Sequence, residues 1–201
     1  MLLPLLSLLA CSPRIPDCEA NETYDADGNC IPRDTSLSEA MQAIVDALPA
    51  CELLPAGDRL DLRNGCADGA CAEDSYAQMT AALGAGDCED DDDDTLIYCL
   101  WQEETLAAFI WDEDGDHQPD GSEQNEGLHL YEEWSGTDEN GLGMGISLAC
   151  YVEVFGDTDA DEVEVDDQGQ VTSIDWPDRS LYVSDLDTDG YVDLVSIFGV
   201  Y

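Results

Sequence analysis

The segment Asp185-Leu186-Asp187-Thr188-Asp189-Gly190-Tyr191-Val192-Asp193 sets carboxylates at positions 1, 3, 5 and 9 of one short run. Calcium is a hard cation that takes six to eight oxygen ligands in a flexible arrangement. Asp185, Asp187, Asp189 and Asp193, with the backbone carbonyl of Tyr191 at position 7, can curl around one such ion, and Gly190 permits the sharp turn. An EF-hand would also need a bidentate acid at position 12, where this chain has Ser196, and a flanking helix where the residues from Val192 onward read as strand. The alternative for these residues is an Asp-Gly hairpin turn with surplus acids. A second run repeats the odd spacing through Asp112, Asp114, Asp116 and Asp120, but its Gly115 falls at position 4, where the turn does not want it. Asp157, Asp159 and Asp161 lack both the glycine and the ninth acid, and read as loop. Ca2+ is therefore the cofactor to expect. Acids crowded this way repel one another, so an ion bound only to the native state stabilises the fold by mass action.

The Asp185–Asp193 run resembles the Asp-rich calcium loops between strands in integrin-like and VCBS-type β repeats. The resemblance implies a metal held on an inter-strand turn. Other chemistry has thin support. Lysine catalysis is excluded because the chain has no Lys. His129 sits in Leu128-His129-Leu130-Tyr131, an alternating strand pattern that suits a surface or packed histidine, and His117 sits in a turn. Paired carboxylates hydrolyse glycosidic bonds, but among 48 acids no pair stands out. The chain reads as non-enzymatic, with an envelope hydrolase as the weakest alternative.

With five Lys and Arg against 48 Asp and Glu, the net charge is −43. Such a surface repels itself and stays soluble. It excludes nucleic acid as a partner, since phosphate contacts need Lys and Arg. Divalent cations and basic protein surfaces are its natural counterparts; adaptation to a salty habitat is the alternative explanation.

Met1–Ala10 is apolar and uncharged. It is half the length of a membrane-spanning helix, which needs about 20 residues, and it has the size of a signal-peptide core. Leu8-Leu9-Ala10-Cys11 resembles a lipobox. That resemblance implies cleavage before Cys11, acylation of its thiol and, with Ser12 following, an outer-membrane lipoprotein facing the periplasm or the surface. The alternative is the frayed apolar N-terminus of a cytosolic protein. With Cys11 lipidated, eight of nine cysteines remain: Cys18, Cys30, Cys51, Cys66, Cys71, Cys88, Cys99 and Cys150. An even set in an exported chain points to disulfides. Spacing does not settle the pairing. Proximity favours Cys18–Cys30, Cys66–Cys71 and Cys88–Cys99, leaving Cys51–Cys150 to tie the first helix to the second half. Zinc is disfavoured, because no CxxC pair exists.

The elements that must carry these residues follow from periodicity. Residues 11–35 form a Pro-containing linker with a small Cys18–Cys30 loop. Residues 36–64 hold a helix, Ser36–Leu48, with a Ser36/Glu39 capping box and an apolar stripe of Met41, Ile44, Val45 and Leu48. An internal repeat follows. Ser75–Gly84 and Ser147–Gly156 are equal in length, begin on an N-capping Ser and end on a Gly. Leu106–Gly115 aligns without gaps to Leu181–Gly190. Strands are predicted at Leu96–Trp101, Leu106–Trp111 and Leu128–Trp134, then at Val163–Val165, Val171–Trp176, Leu181–Ser184 and Val192–Val200. The acidic run Glu89–Asp94 reads as a solvated loop. The fold class is α+β, with two tandem units, 65–136 and 137–201, each a short helix on a small antiparallel sheet.

Gly141–Gly156, with its Gly-hydrophobic-Gly, Ser, short helix and Phe-Gly ending, resembles the opening of the BamE/SmpA-like and β-lactamase-inhibitor-like repeats. The resemblance spans about Gly65–Tyr201. Cys66 and Cys71 interrupt the corresponding Gly-rich opening of the first unit. It implies a helical element packed on a short sheet, with no catalytic residues to transfer. The expected function is a lipid-anchored envelope protein that binds another envelope protein, or inhibits it, through a concave, acidic sheet face. Trp101, Trp111, Trp134 and Trp176 lie on or beside strands; most belong in the core, and one or two could serve as exposed anchors. The alternative is a surface protein stabilised by calcium.

Overall fold

A computed structural model describes residues 22–24, 30–32, 37–90, 95–112, 115–156 and 162–199. The chain divides into two units, Met1–Asp34 and Thr35–Tyr201. In the first, β1 (Glu22–Tyr24) and β2 (Cys30–Pro32) pair antiparallel, Thr23 opposite Ile31. Residues 1–10, expected to be a leader, and Cys11, Cys18 and Ser36 lie outside the described residues.

The second unit begins with α1 (Glu39–Ala47) and a three-stranded meander of β3 (Leu60–Asp61), β4 (Cys66–Ala67) and β5 (Ala70–Cys71). Then come α2 (Tyr76–Leu83), β6 (Asp87–Asp90), β7 (Leu96–Trp101), β8 (Leu106–Trp111) and β9 (Asn125–Tyr131). After them come α3 (Leu148–Phe155), β10 (Val163–Val165), β11 (Val171–Trp176), β12 (Leu181–Ser184) and β13 (Leu194–Phe198). A helix followed by a four-stranded antiparallel meander thus occurs twice. The expected pair of small sheets is instead one eight-stranded sheet, ordered β10-β11-β12-β13-β9-β8-β7-β6. The last strands of the two meanders, β9 and β13, pair at its centre, Leu128 opposite Ile197 and Leu130 opposite Val195. Left apart, each would present an open row of backbone donors and acceptors; pairing satisfies both.

The helices form for local reasons. In α1 the N-cap is Ser38, not Ser36: its hydroxyl accepts the Met41 N–H at 3.1 Å. Two short helices share one design. Ser75 opens α2, with its N–H donated to Gln78 Oε1 at 2.9 Å, and Ser147 opens α3, with its Oγ accepting from the Ala149 N–H at 3.1 Å. Gly84 and Gly156 close them at φ 89° and 81°, a region that side chains resist. The second strand of each meander then carries a buried Trp that caps its helix. Trp101 Nε1 donates to the Gly84 carbonyl at 3.0 Å, and Trp176 Nε1 to the Gly156 carbonyl at 3.3 Å.

One face of the sheet buries Ile97, Leu106, Ile110, Leu128, Leu130, Ile174, Val183, Val195 and Ile197 against Met41, Met79, Leu148, Tyr151 and Val152 of the helices. Disulfides lock this layer. Cys51–Cys150 joins the segment after α1 to α3, Cys66–Cys71 spans facing positions of β4 and β5, and Cys88–Cys99 does the same for β6 and β7. The last corrects a sequence expectation. Glu89 and Asp90 belong to strand β6, paired opposite Tyr98 and Ile97, because the ladder and the cross-strand disulfide outweigh the poor strand preference of acids. Residues 91–94 lie outside the described set.

Cys51–Cys150 closes a separation of 99 residues and Cys66–Cys71 one of only 5. Loop-closure entropy grows with length. Replacing the first pair with Ala should lower the unfolding free energy by about 4–5 kcal/mol and the second by about 2 kcal/mol in urea titrations; an equal loss for both would contradict this account.

Candidate interaction face and Asp-rich loop

The other face of the sheet follows from strand alternation. Tyr98 of β7 stands opposite Phe109 of β8, Ala107 opposite His129 of β9, His129 opposite Ser196 of β13, and Ser196 opposite Tyr182 of β12. These positions share one side of the pleat, away from the helices. Four of their rings form a continuous row. Tyr98 and Phe109 centroids lie 5.0 Å apart, Phe109 and His129 meet edge to face at 5.2 Å, and His129 and Phe198 at 5.9 Å. The Tyr98 and Tyr131 hydroxyls share a hydrogen bond at 3.1 Å. Burial and that hydrogen bond push the Tyr98 phenol up from its ordinary range, so it stays neutral. Gly127 leaves room for the Phe198 ring; a Cβ there would lie 3.1 Å from Phe198 Cδ1 and 2.6 Å from the Ile197 carbonyl oxygen.

Phe198 is 37 % exposed and Trp111, at the end of the same face, is 39 % exposed. Trp101, Trp134 and Trp176 are buried. Of the four tryptophans, Trp111 alone is free to serve as an anchor; the row itself is made of Tyr, Phe and His. Strand alternation around Leu128-His129-Leu130 was the signal for it, but the register that lines the rings up is not written in any one strand.

His129 is the centre of this row. Its Nδ1 lies 2.9 Å from Ser196 Oγ, and its Nε2 is buried without a hydrogen-bond partner. Burial pushes the imidazole down from 6.5 to about 4, so at neutral pH it is an uncharged aromatic and not a base poised for catalysis.

The Asp-rich loops sit between third and fourth strands of the two meanders. In the β12–β13 loop, Asp185, Asp187 and Asp193 each place an oxygen within 4.8 Å of the others. Asp189 is outside that trio; its Oδ1 accepts the Tyr191 N–H at 2.9 Å, and the Tyr191 side chain is exposed. Asp185 is buried and accepts N–H bonds from Gly190 and from Asp189 at 3.1 Å. Burial pushes its carboxyl up from the usual range, and those N–H bonds oppose the rise. Gly190 is needed at φ 89°, and a Cβ there would strike the Pro49 ring that ends α1.

In the β8–β9 loop the acids turn inward to backbone. Asp112 accepts from the Gly115 and His117 N–H groups at 2.7 and 3.0 Å, Asp116 from the Gln118 N–H at 2.9 Å, and Asp120 from the Ser122 N–H at 2.7 Å. Among the described residues, Asp112, Asp116 and Asp120 are not gathered into a metal-sized group, and Asp114 lies outside the described set. Asp157, Asp159 and Asp161 also lie outside the described residues. Among those described, no helix is long and apolar enough to cross a membrane.

Comparison with protein-family models, curated proteins and solved structures yields no match, so nothing in it identifies a BamE/SmpA-like family.

An unfolded His129 titrates near 6.5 and the folded one near 4. Between these values the unfolded state binds more protons, so stability present above the upper value is lost as pH falls toward the lower. His129→Phe should shrink the drop in unfolding free energy between pH 7 and pH 4 by about 3 kcal/mol. Identical urea-derived pH slopes for both proteins would show that this histidine is not held neutral by burial.

Proposed function

We propose that this chain is a non-enzymatic, lipid-anchored protein of the cell envelope that binds another protein through the open face of its sheet. The observation that carries the reading is the row Tyr98, Phe109, His129 and Phe198, which runs across four strands on the side away from the helices. Aromatic side chains on a rigid surface supply large contact area with little rotamer entropy to lose. The two helix-plus-meander halves fit tandem copies of one unit: the Trp101–Gly84 and Trp176–Gly156 caps recur at matching places. A BamE/SmpA-like or β-lactamase-inhibitor-like repeat is in keeping with that order, and inhibition of an enzyme is one form the binding would take. The three intrachain disulfides among the described residues suit an oxidising compartment. Leu8–Cys11 suits acylation and an outer-membrane address.

Photo-crosslinking residues at Phe109 and Phe198, in protein extracted from its native membrane, should give discrete adducts with an envelope protein, while one at Leu53 should not. Intact mass of the same extract should carry the acyl chains on Cys11. Equal labelling from all three positions would refute the face, and an unacylated mass would refute the anchor.

A second reading is favoured by Asp185, Asp187 and Asp193, whose oxygens converge within 4.8 Å. These residues would hold Ca2+, and its charge would offset their repulsion. Calcium at a hundredfold excess over Kd should raise Tm by about 5–10 °C, and Asp185→Asn should abolish the rise. A melting curve indifferent to both calcium and chelator would remove this reading.

A further inference from the structure

We infer that the occupant of the open sheet face is a cationic polypeptide segment, whose arginine or lysine side chains lie on the Tyr98–Phe109–His129–Phe198 row between two acidic margins. The inference rests on the reading of that face as a protein-binding surface.

The first support is register. Exposed Asp87 and Glu89 of β6 stand opposite Leu100 and Tyr98, so they flank the row on the open side. At the far side, Asp175 of β11 stands opposite Tyr182, and exposed Glu164 of β10 opposite Ser173. Carboxylates thus stand beside the row on β6 and, beyond Tyr182 of β12, on β11 and β10. The second support is charge balance. The chain carries −43 and has no Lys. The cation–aromatic contacts among its described residues use other rings: Arg59 lies over Trp134 at 5.2 Å and Arg179 over Phe155 at 4.8 Å. No cation–aromatic contact among the described residues falls on the row itself.

These facts separate the occupants. A neutral apolar partner would cover the margins and strip water from carboxylates without pairing them, which is costly. A second copy would bring the same acids face to face. A cationic segment pairs the margins, relieves the self-repulsion and stacks on the quadrupoles of the rings.

The test uses the full mature chain and three labelled 12-residue peptides that alternate glycine with arginine, with citrulline or with glutamate. Affinity is read by fluorescence anisotropy at roughly physiological salt, where weak surface charge effects are screened. The arginine peptide should bind at least about tenfold more tightly than the citrulline peptide, and the glutamate peptide should not bind. Phe109→Ala and Phe198→Ala leave the net charge unchanged and should each weaken arginine-peptide binding by about five- to tenfold, as loss of a cation–π contact predicts. Leu53→Ser should leave it unchanged. Glu89→Gln with Asp87→Asn, on an exposed edge strand, should weaken it and flatten its salt dependence. If the ring variants bind the arginine peptide as the parent does, diffuse charge holds it and the inference falls. If citrulline and arginine peptides bind alike and both are lost in the ring variants, the inference falls while the reading of the face as a protein-binding surface stands. Photo-crosslinks from Phe109 and Phe198 without any arginine-peptide binding lead to that same outcome. A dimer in sedimentation that the ring variants abolish would make a second copy the occupant and overturn the inference.

Discussion

The β9–β13 ladder is the interaction on which the rest of this structure depends. It joins two four-stranded meanders that come from separate stretches of chain, with Leu128 opposite Ile197 and Leu130 opposite Val195 on the core side. The same pairing sets His129 opposite Ser196 on the other side, because successive side chains alternate across the pleat. A slip of one residue would reverse both faces at once. The buried layer and the aromatic row on the opposite side are therefore two results of one register. The helices use only one of those faces, and α2 and α3 are each keyed to the sheet by a Trp that donates to the closing glycine.

Charge is the opposing constraint. A chain at −43 works against its own compaction. The structure answers with crosslinks and with placement. Cys51–Cys150 ties the segment after α1 to α3, and Ser147 Oγ reinforces that junction by donating to the Pro49 carbonyl at 2.7 Å. Arg59 is used for structure: it forks onto Asp68 at 2.7 and 2.8 Å while stacking on Trp134, whose Nε1 donates to the same carboxylate. Many of the acids occupy loops and edge strands. On β6 they line a sheet edge, where charged side chains disfavour pairing with another strand.

The Asp185–Asp193 loop links these two themes. It follows β12, and its Gly190 sits against Pro49 at the end of α1 while its carbonyl accepts the Leu148 N–H of α3 at 3.1 Å. The acids that converge there are thus built onto the junction of two helices and the sheet. In both loops the carboxylates accept backbone N–H bonds, but the equivalent loop after β8 gathers no such group among its described residues.

Much of this was legible in the sequence because it is local. Ser75–Gly84 and Ser147–Gly156 declare their helices through caps and spacing, and Leu96–Trp101, Leu106–Trp111, Val163–Val165, Val171–Trp176 and Leu181–Ser184 declare strands whose ends agree with the structure. Boundaries were missed where a partner decided them: β9 begins at Asn125 and ends at Tyr131, and β6 forms in acidic sequence because β7 and a disulfide hold it. The little strands β3 to β5 carry too few residues for any period to show. The carboxylates of the Asp185 loop could be named from spacing, since a turn of nine residues is governed by its own glycine. The aromatic row could not, because its rings come from β7, β8, β9 and β13. Their adjacency is a matter of strand order and register, set by which edges meet in three dimensions and not by what any segment prefers alone.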